Sequence, residues 1–312
     1  GMHVSGPSPR LSKRANDKLW FTDLTRQIIG KTATPPTMRG YNLAAAAAEI
    51  AFFARSSDRV VAKIPNSAGS AGNVTFCSSD IAGKSERQMQ AILGARLAAT
   101  GWTDDFPILI GVWDPDVLCS PSVQLWIPQV ADGLPYAEGV FEQRTRNTEA
   151  AFIGAVASTL PAGIQAELAA EATTIATVLQ TLGYYGRCSL DAVIHQTAEH
   201  TREIHWIECN GRWGGVSIPM TLAKSLNDGK VPPGFLVVQE YRSDLATVTT
   251  QDCLSLFDDL LFRKGHQEEG LIITSPPTGV DGLSVNLLGI GSTVNLTNLL
   301  VTEAMSRLQD TA

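Results

Sequence analysis

Nowhere in the 312 residues is there a lysine- and arginine-rich run dense enough to track a phosphate backbone, and the formal net charge is −7. A nucleic-acid surface is therefore not expected, because such binding rests on clustered cations. Long apolar runs are also missing. The tract Leu43 to Phe53 carries Glu49 and falls well short of the ~20 residues that a bilayer requires. No charged-then-apolar leader pattern opens the chain, and Gly1 ahead of Met2 reads as a tag remnant. Cysteine is scarce: Cys77, Cys119, Cys188, Cys209 and Cys253 are dispersed and odd in number, which points to reduced thiols and a cytoplasmic setting. Cys-x-x-Cys and His-x-x-x-His pairs are absent. His195, His200 and His205 recur every five residues, but that spacing crosses a strand–turn–strand and is not expected to share one face, so no zinc site is expected.

What the chain does have is apolar content, at 44%, enough for a large core divided into two or three lobes. Residues 1–15, with Pro7 and Pro9, read as a mobile arm. Trp20 to Ile29 has helical spacing, and a Thr-Pro-Pro-Thr loop then precedes an alanine helix from Ala44. Strands near 59–64 and 73–77 flank a glycine loop. A helix over 85–100 follows, then strands near 107–113, 122–127 and 137–143. Pro161 to Leu182 is the clearest helix, with Leu168, Ala172, Ile175, Leu179 and Leu182 on one stripe. Past Asn227 we expect strands near 235–241 and 270–274, a helix near 251–263, a strand pair around 283–295 and a closing helix over 299–308. The class is α+β.

The richest stretch is His205-Trp206-Ile207-Glu208-Cys209-Asn210-Gly211-Arg212-Trp213-Gly214-Gly215. On a strand, i and i+2 share a face, so Glu208 and Asn210 present oxygens side by side next to a guanidinium. Hard oxygen donors of this kind suit Mg²⁺ and phosphate. The preceding run, Gly183 to Ile194, carries one acid, Asp191, and a polar turn joins the two segments as a hairpin. Setting Ile194 against Ile204 brings Asp191 opposite Ile207, next to Glu208. A solvated edge hairpin is the plain alternative, but an acid among Trp206, Ile207 and Cys209 would be costly to bury alone. Upstream, Val60-Val61-Ala62-Lys63 delivers one cation into the loop Ser67-Ala68-Gly69-Ser70-Ala71-Gly72, whose small residues let backbone N–H groups approach an anion. A strand follows that loop, so it is not a P-loop; a plain hairpin tip would have the same composition.

The pair "GYYGRCSLDAVI" and "WIECNGRWGG" resembles the closing half of an ATP-grasp active site, an Asp strand followed by Glu-x-Asn-x-Arg and glycine. "ANDKLWFTDL" resembles that family's opening segment, with Lys18 as the first nucleotide lysine. "VVAKIPNSAGSAGNVTF" resembles the triphosphate cover, with Lys63 as the second. "SVQLWIP" resembles the adenine-holding hinge. The likeness runs from about Asn16 to about Lys224.

The resemblance implies an ATP-grasp fold of two α+β lobes with antiparallel sheets. Its divisions would be an arm over 1–15, a helical opening segment over 16–55, a small lobe over 56–128, a large lobe with the Mg site over 129–226 and a C-terminal extension over 227–312. It further implies ATP with Mg²⁺ (or Mn²⁺), held by Lys18, Lys63, Ser67, Gly69, Ser70, Gly72, Gln124, Leu125, Trp126, Ile127 and Gln143, with metal on Asp191, Glu208 and Asn210. Glu138 is a further polar neighbour in this reading. Lys63 and Arg212 would be catalytic, and Gly214-Gly215 would let the backbone approach an intermediate. The implied reaction joins a small-molecule carboxylate to an amine through an acylphosphate, forming an amide or peptide bond. A kinase, or a nucleotide-binding subunit without turnover, is the alternative. Family members usually carry a leading domain before the first lysine, whereas about fifteen residues precede Lys18 here. Either the sequence is a truncation, or a homodimer or partner chain supplies the domain, or the C-terminal segment substitutes for it.

Overall fold

The computed structural model describes residues 6–67, 72–146, 151–197, 199–245, 248–275 and 282–310. The chain runs through α1 (Pro9–Ala15), α2 (Lys18–Ile28), β1 (Thr37–Gly40), α3 (Leu43–Phe53), β2 (Arg59–Lys63), β3 (Asn73–Cys77), α4 (Ser78–Ile81) and α5 (Glu86–Ala98). It continues through β4 (Ile108–Val112), β5 (Val117–Cys119), β6 (Pro121–Ile127), β7 (Tyr136–Arg146), β8 (Ala151–Ala157), α6 (Ala162–Thr181), β9 (Gly186–Gln196) and β10 (Arg202–Asn210). The last elements are α7 (Ser217–Leu226), β11 (Leu236–Arg242), α8 (Thr250–Leu256), β12 (Gly270–Ile273), β13 (Leu283–Ile290) and α9 (Val294–Gln309). Mixed helices and antiparallel sheets make the class α+β, as expected. Among the described residues no helix is long and apolar enough to cross a membrane.

Two compact units emerge, and they cut the chain differently from the sequence divisions. The first comprises 1–138, 146–151 and 166–212; the second comprises 139–145, 152–165 and 213–312. The C-terminal part from 227 shares a unit with most of β7 and β8.

Within the first unit, β1-β4-β2-β3 form an antiparallel sheet. Its buried face packs Val60, Ala62, Val74, Phe76, Ile108 and Ile110 against α3 and α5, burying Ala46, Ala47, Ile50, Met89, Leu93 and Leu97. Each fully buried Leu or Ile contributes about 2 kcal/mol. Glycine at 40 lets β1 approach α3 closely, because a Cβ there would lie 2.6 Å from that of Ala46. A second antiparallel layer of the same unit runs β10-β9-β6, with β5 beside the end of β9. One face of β9 and β10 is core: Cys188, Leu190, Ala192, Ile194, Trp206 and Cys209 are all buried. The helix α6 lies against it, with Glu171 Oε2 accepting from Trp206 Nε1 at 2.7 Å. Its C-terminus stops at Gly183, whose φ of 92° is the left-handed conformation of a helix C-cap.

The second unit pairs β7-β8-β11-β13-β12. Leu236, Val238, Leu271, Val285 and Leu287 pack with α8 and α9 residues Cys253, Val301, Ala304 and Leu308. Gly214 N–H donates to Ser217 Oγ at 2.7 Å, so the Gly214-Gly215 pair forms the turn into α7.

Several expectations change. The arm over 1–15 contains α1, which Pro9 starts at N1 behind the Ser8 cap, a favoured helix opening that outweighs the loop-forming reading of two prolines. The 251–263 helix shortens to α8 because Phe257 leaves helical geometry before a 3₁₀ turn. The strand pair at 283–295 is the single strand β13, since Thr293 caps α9, which begins at Val294 rather than near 299. Strands β1, β5 and β8 are too short or too weakly alternating to read from sequence.

Candidate active site

The β9–β10 hairpin gathers the oxygen donors. Ile194 pairs with Ile204 as expected, but a bulge between Trp206 and Glu208 inserts Ile207 and shifts the register. Asp191 therefore sits opposite Glu208, not opposite Ile207, and directly opposed residues share a face. Asn210, two residues on, lies opposite Ser189 on that same face. Its amide nitrogen donates to Asp191 Oδ2 at 2.9 Å and to Glu208 Oε1 at 3.4 Å. From β6, Ser122 lies opposite Asp191 and its hydroxyl donates to Asp191 Oδ1 at 2.7 Å, with Gln124 Nε2 donating to Ser122 Oγ at 3.0 Å. All three predicted ligands thus meet at one point. Two carboxylates and an amide form an oxygen-only donor set that fits Mg²⁺ or Mn²⁺. Like-charged carboxylates in contact with one amide proton donor are what a bound cation would relieve.

Lys18 is not a solvated helix-start lysine. Asp17, not Asn16, caps α2, accepting from Leu19 and Trp20 N–H, which turns Lys18 inward. Its Nζ lies 3.2 Å from Glu208 Oε2 and donates to Ser67 O at 2.7 Å and Ser67 Oγ at 3.3 Å, with the residue 5% exposed. Its own N–H donates to Pro65 O at 3.1 Å. The base of the glycine loop is thereby tied to the acid strand. At the loop's other end, Gly72 O accepts from Ile64 N–H, and a Cβ on Gly72 would lie 2.1 Å from Ser67 Oγ. Gly69 and Ser70 lie outside the described residues. Lys63 ends β2, and burial pushes its ammonium down to about 8, with Lys18 adding to the shift and Glu208 and Asp114 opposing it. A cleft lined by Val61, Lys63, Leu109, Gly111, Trp206 and the bulged Ile207 adjoins it.

Arg212 is exposed but aimed. Asn16, freed from capping, accepts from Arg212 Nη1 at 2.6 Å and from Gly211 N–H at 3.2 Å, while Ser12 Oγ donates to Gly211 O at 2.8 Å. Gly211 has no room for more: a Cβ would meet Ala15 at 3.1 Å and Tyr184 at 3.2 Å. Asn16, Ser12 and Ser122 are the functional neighbours that sequence reading missed. Asn16 was hidden behind a capping role that Asp17 fills, and Ser122 could be found only with the β6–β9 register in hand.

The residues of the expected hinge lie on β6, the strand that also carries Ser122. Leu125 and Ile127 are fully buried on the core side, Gln124 is engaged by Ser122, and Trp126 stacks with Arg187 at 5.3 Å. The whole of 122–127 is laddered to β9, which occupies its backbone on that side. A strand with Gln and Trp alternating among aliphatics reads alike whether it is a hinge or a sheet interior. Glu138 pairs with Arg187, and both are buried. Gln143 is half-buried in β7 and belongs to the second unit.

The imidazoles require a correction. His200 stands in the turn, but His195 and His205 do share a face: His195 is opposite Glu203 and His205 opposite Val193. Their rings are 4.5 Å apart. Cys209 is on the other face, where its Sγ is 3.5 Å from that of Cys188, and that contact together with burial pushes its thiol well up.

No family model and no curated protein matches the sequence. Solved structures do match. The biotin carboxylase domain of 2-oxoglutarate carboxylase from Hydrogenobacter thermophilus, in complex with MgADP, ADP and bicarbonate, aligns over 98% of this chain and 68% of its own at a TM-score of 0.69 and 11% identity. Biotin carboxylase from Campylobacter jejuni, as a β,γ-ATP complex, aligns over 97% and 68% at 0.68 and 11%. N5-carboxyaminoimidazole synthase from Aspergillus clavatus, with ADP and an aminoimidazole ribonucleotide, aligns over 98% and 76% at 0.64 and 10%. The chain shares the fold of these structures, the ATP-grasp fold.

Proposed function

We propose that this chain is an ATP-dependent carbon–nitrogen ligase that activates a carboxylate as an acylphosphate and passes it to an amine, forming an amide or peptide bond. The observation that carries this reading is the meeting of Asp191, Glu208 and Asn210 with Lys18 beside the base of the glycine loop. A fold shared with structures holding ADP or an ATP complex supports it.

In this reading Lys63 and Lys18 meet the phosphate chain, with Ser67, Gly69, Ser70 and Gly72 covering it. The adenine ring is assigned to the hinge segment Gln124, Leu125, Trp126 and Ile127, with Gln143 as a further polar neighbour. Asp191, Glu208 and Asn210 would hold Mg²⁺, which when bound neutralises charge on the terminal phosphates. A substrate carboxylate oxygen attacks the γ-phosphorus while the bond to the bridging oxygen breaks and ADP leaves. The amine nitrogen then attacks the acyl carbon, the carbon–oxygen bond to phosphate breaks, and the amine releases a proton. Arg212, oriented by Asn16, suits the carboxylate or the transferring phosphoryl group because its planar fork binds paired oxygens. Bicarbonate is a second candidate for the carboxylate, favoured by its presence in the Hydrogenobacter structure.

ADP release measured over amino acids, short peptides and bicarbonate, with products identified by mass spectrometry, tests the reading. An amide-linked or carboxylated amine is the expected product. A stable phosphorylated product without amine consumption would make it a kinase, and ATP binding without any ADP release would make it a nucleotide-binding module.

Lys63 supplies a pH prediction. With its ammonium at about 8 in the free protein, bound phosphate raises that value, so nucleotide binding takes up a proton. Affinity for ATP is full below about 8 and falls as pH rises through it, by up to about tenfold per unit until the bound-state value is passed. Calorimetry in buffers of different ionisation enthalpy reads the uptake directly, and Lys63→Met should abolish it. A pH-independent affinity between 7 and 9.5, read on the ~2.5 unit span that separates this group from an ordinary lysine, contradicts the assignment.

A further inference from the structure

The same sheet face that carries the oxygen cluster holds a second, chemically different group two residue pairs away. His195 and His205 stand on adjacent strands with rings 4.5 Å apart and tilted by 41°. Both are buried, at 6% and 5% exposure. Neither ring nitrogen of His195 has a hydrogen-bond partner among the described residues, although both are out of contact with solvent. His205 Nδ1 faces both oxygens of Asp114 at 3.0 Å, and Asp114, His195 and His205 each offer a donor atom within 4.8 Å of the others. Glu203 closes the group from the solvent side: its Oε2 is 3.8 Å from Nε2 of His195 and 3.8 Å from Nε2 of His205.

We propose that this cluster is a transition-metal site of the zinc class, with His195 Nε2, His205 Nε2 and Glu203 Oε2 as ligands and Asp114 orienting His205 through Nδ1. A buried imidazole with no partner on either nitrogen is an anomaly in a folded core, and a metal ligand accounts for it. Tetrahedral bonds of 2.0–2.1 Å set ligand atoms about 3.3 Å apart, and the 3.8 Å spacings reach that with a small contraction. A carboxylate behind a ligating imidazole is the usual device for fixing its tautomer and ring orientation. Two nitrogens and a carboxylate favour zinc or a neighbouring divalent transition metal over Mg²⁺. The ion's place in the fold gives it a job. It would clamp β9 to β10 on the near side of the Ile207 bulge, and that bulge sets Glu208 opposite Asp191. The site is independent of the ligase reading, and its readouts do not depend on turnover.

Equilibrium dialysis of the full chain against zinc, with metal quantified by mass spectrometry, should give one ion per chain with a dissociation constant below ~10 µM, an affinity of about −7 kcal/mol. His195→Ala should remove that ion, while Glu208→Gln, which alters only the oxygen cluster, should retain it. Asp114→Asn should weaken binding by about 10–100-fold, the effect of losing a carboxylate behind a ligating histidine. X-ray absorption at the zinc edge on the unsubstituted protein covers the case of a variant that fails to fold. Nitrogen and oxygen scatterers alone, with imidazole outer-shell features, are expected. Sulfur scattering would place the metal on Cys188 and Cys209 and overturn the proposal, as would the absence of binding below ~100 µM or binding unchanged in His195→Ala.

Discussion

Glu208→Gln should lower ATP turnover by about 10³-fold or more while leaving the fold intact. Glu208 is the hub of the oxygen cluster: it shares the Asn210 amide with Asp191 and faces the Lys18 ammonium at 3.2 Å. The substitution keeps the side-chain shape and one carbonyl oxygen but removes the charge. Charge neutralisation by a bound cation is worth several kcal/mol at the transition state, and each 1.4 kcal/mol is a factor of ten. With Glu208 partly exposed and the amide oxygen still able to accept from Lys18, the unfolding midpoint should move little, since partly solvated ion pairs contribute modestly. Steady-state ADP release and chemical denaturation, run side by side, separate the two effects. Turnover within tenfold of the parent chain would remove Glu208 from the proposed metal set and with it the mechanism.

Gly154→Ala should cost at least about 3 kcal/mol of stability, with no direct effect on the cluster. Gly154 lies in β8 at a φ of 152°, and a Cβ there would stand 2.1 Å from Val237 O, inside the β8–β11 pairing that joins Gly154 to Val238. Backbone oxygen cannot yield as a flexible side chain does, so the two strands must separate locally. A strained backbone conformation costs 1–3 kcal/mol, overpacking a similar amount, and the total is a large part of a typical 5–15 kcal/mol stability. Urea unfolding followed by circular dichroism measures it. An unchanged midpoint would mean that β8 and β11 do not pair as closely as this geometry requires.

Much of the site could be read from one strand, because a period of two is written directly in residue order. Glu208 and Asn210 had to share a face, and Asp191 had to come near once the hairpin closed at Ile194 and Ile204. Helix α6 was equally plain, since a Leu and Ala stripe ending at glycine leaves few other structures open. The first proline-rich residues misled for a local reason, as Pro9 serves helix initiation as well as it serves a loop. The setting of the hinge segment was hidden for a non-local one: whether the backbone of 122–127 is free or laddered depends on β9, some sixty residues away.

Chain order and side-chain chemistry alone determined that this protein has an acid hairpin with hard oxygen donors, two separated lysines and a glycine loop between strands. Tertiary structure decided which of those groups touch. Pairing register, not composition, inserted Ile207 and brought Asp191 opposite Glu208. Packing of α1 and α2 turned Asn16 onto Arg212 and Lys18 onto Glu208. Strand adjacency put His195 beside His205, ten residues apart, in a place that linear spacing had argued against. Periodicity is a property of neighbouring residues, whereas contact across strands is set by hydrogen-bond registers and bulges whose energies involve both partners at once.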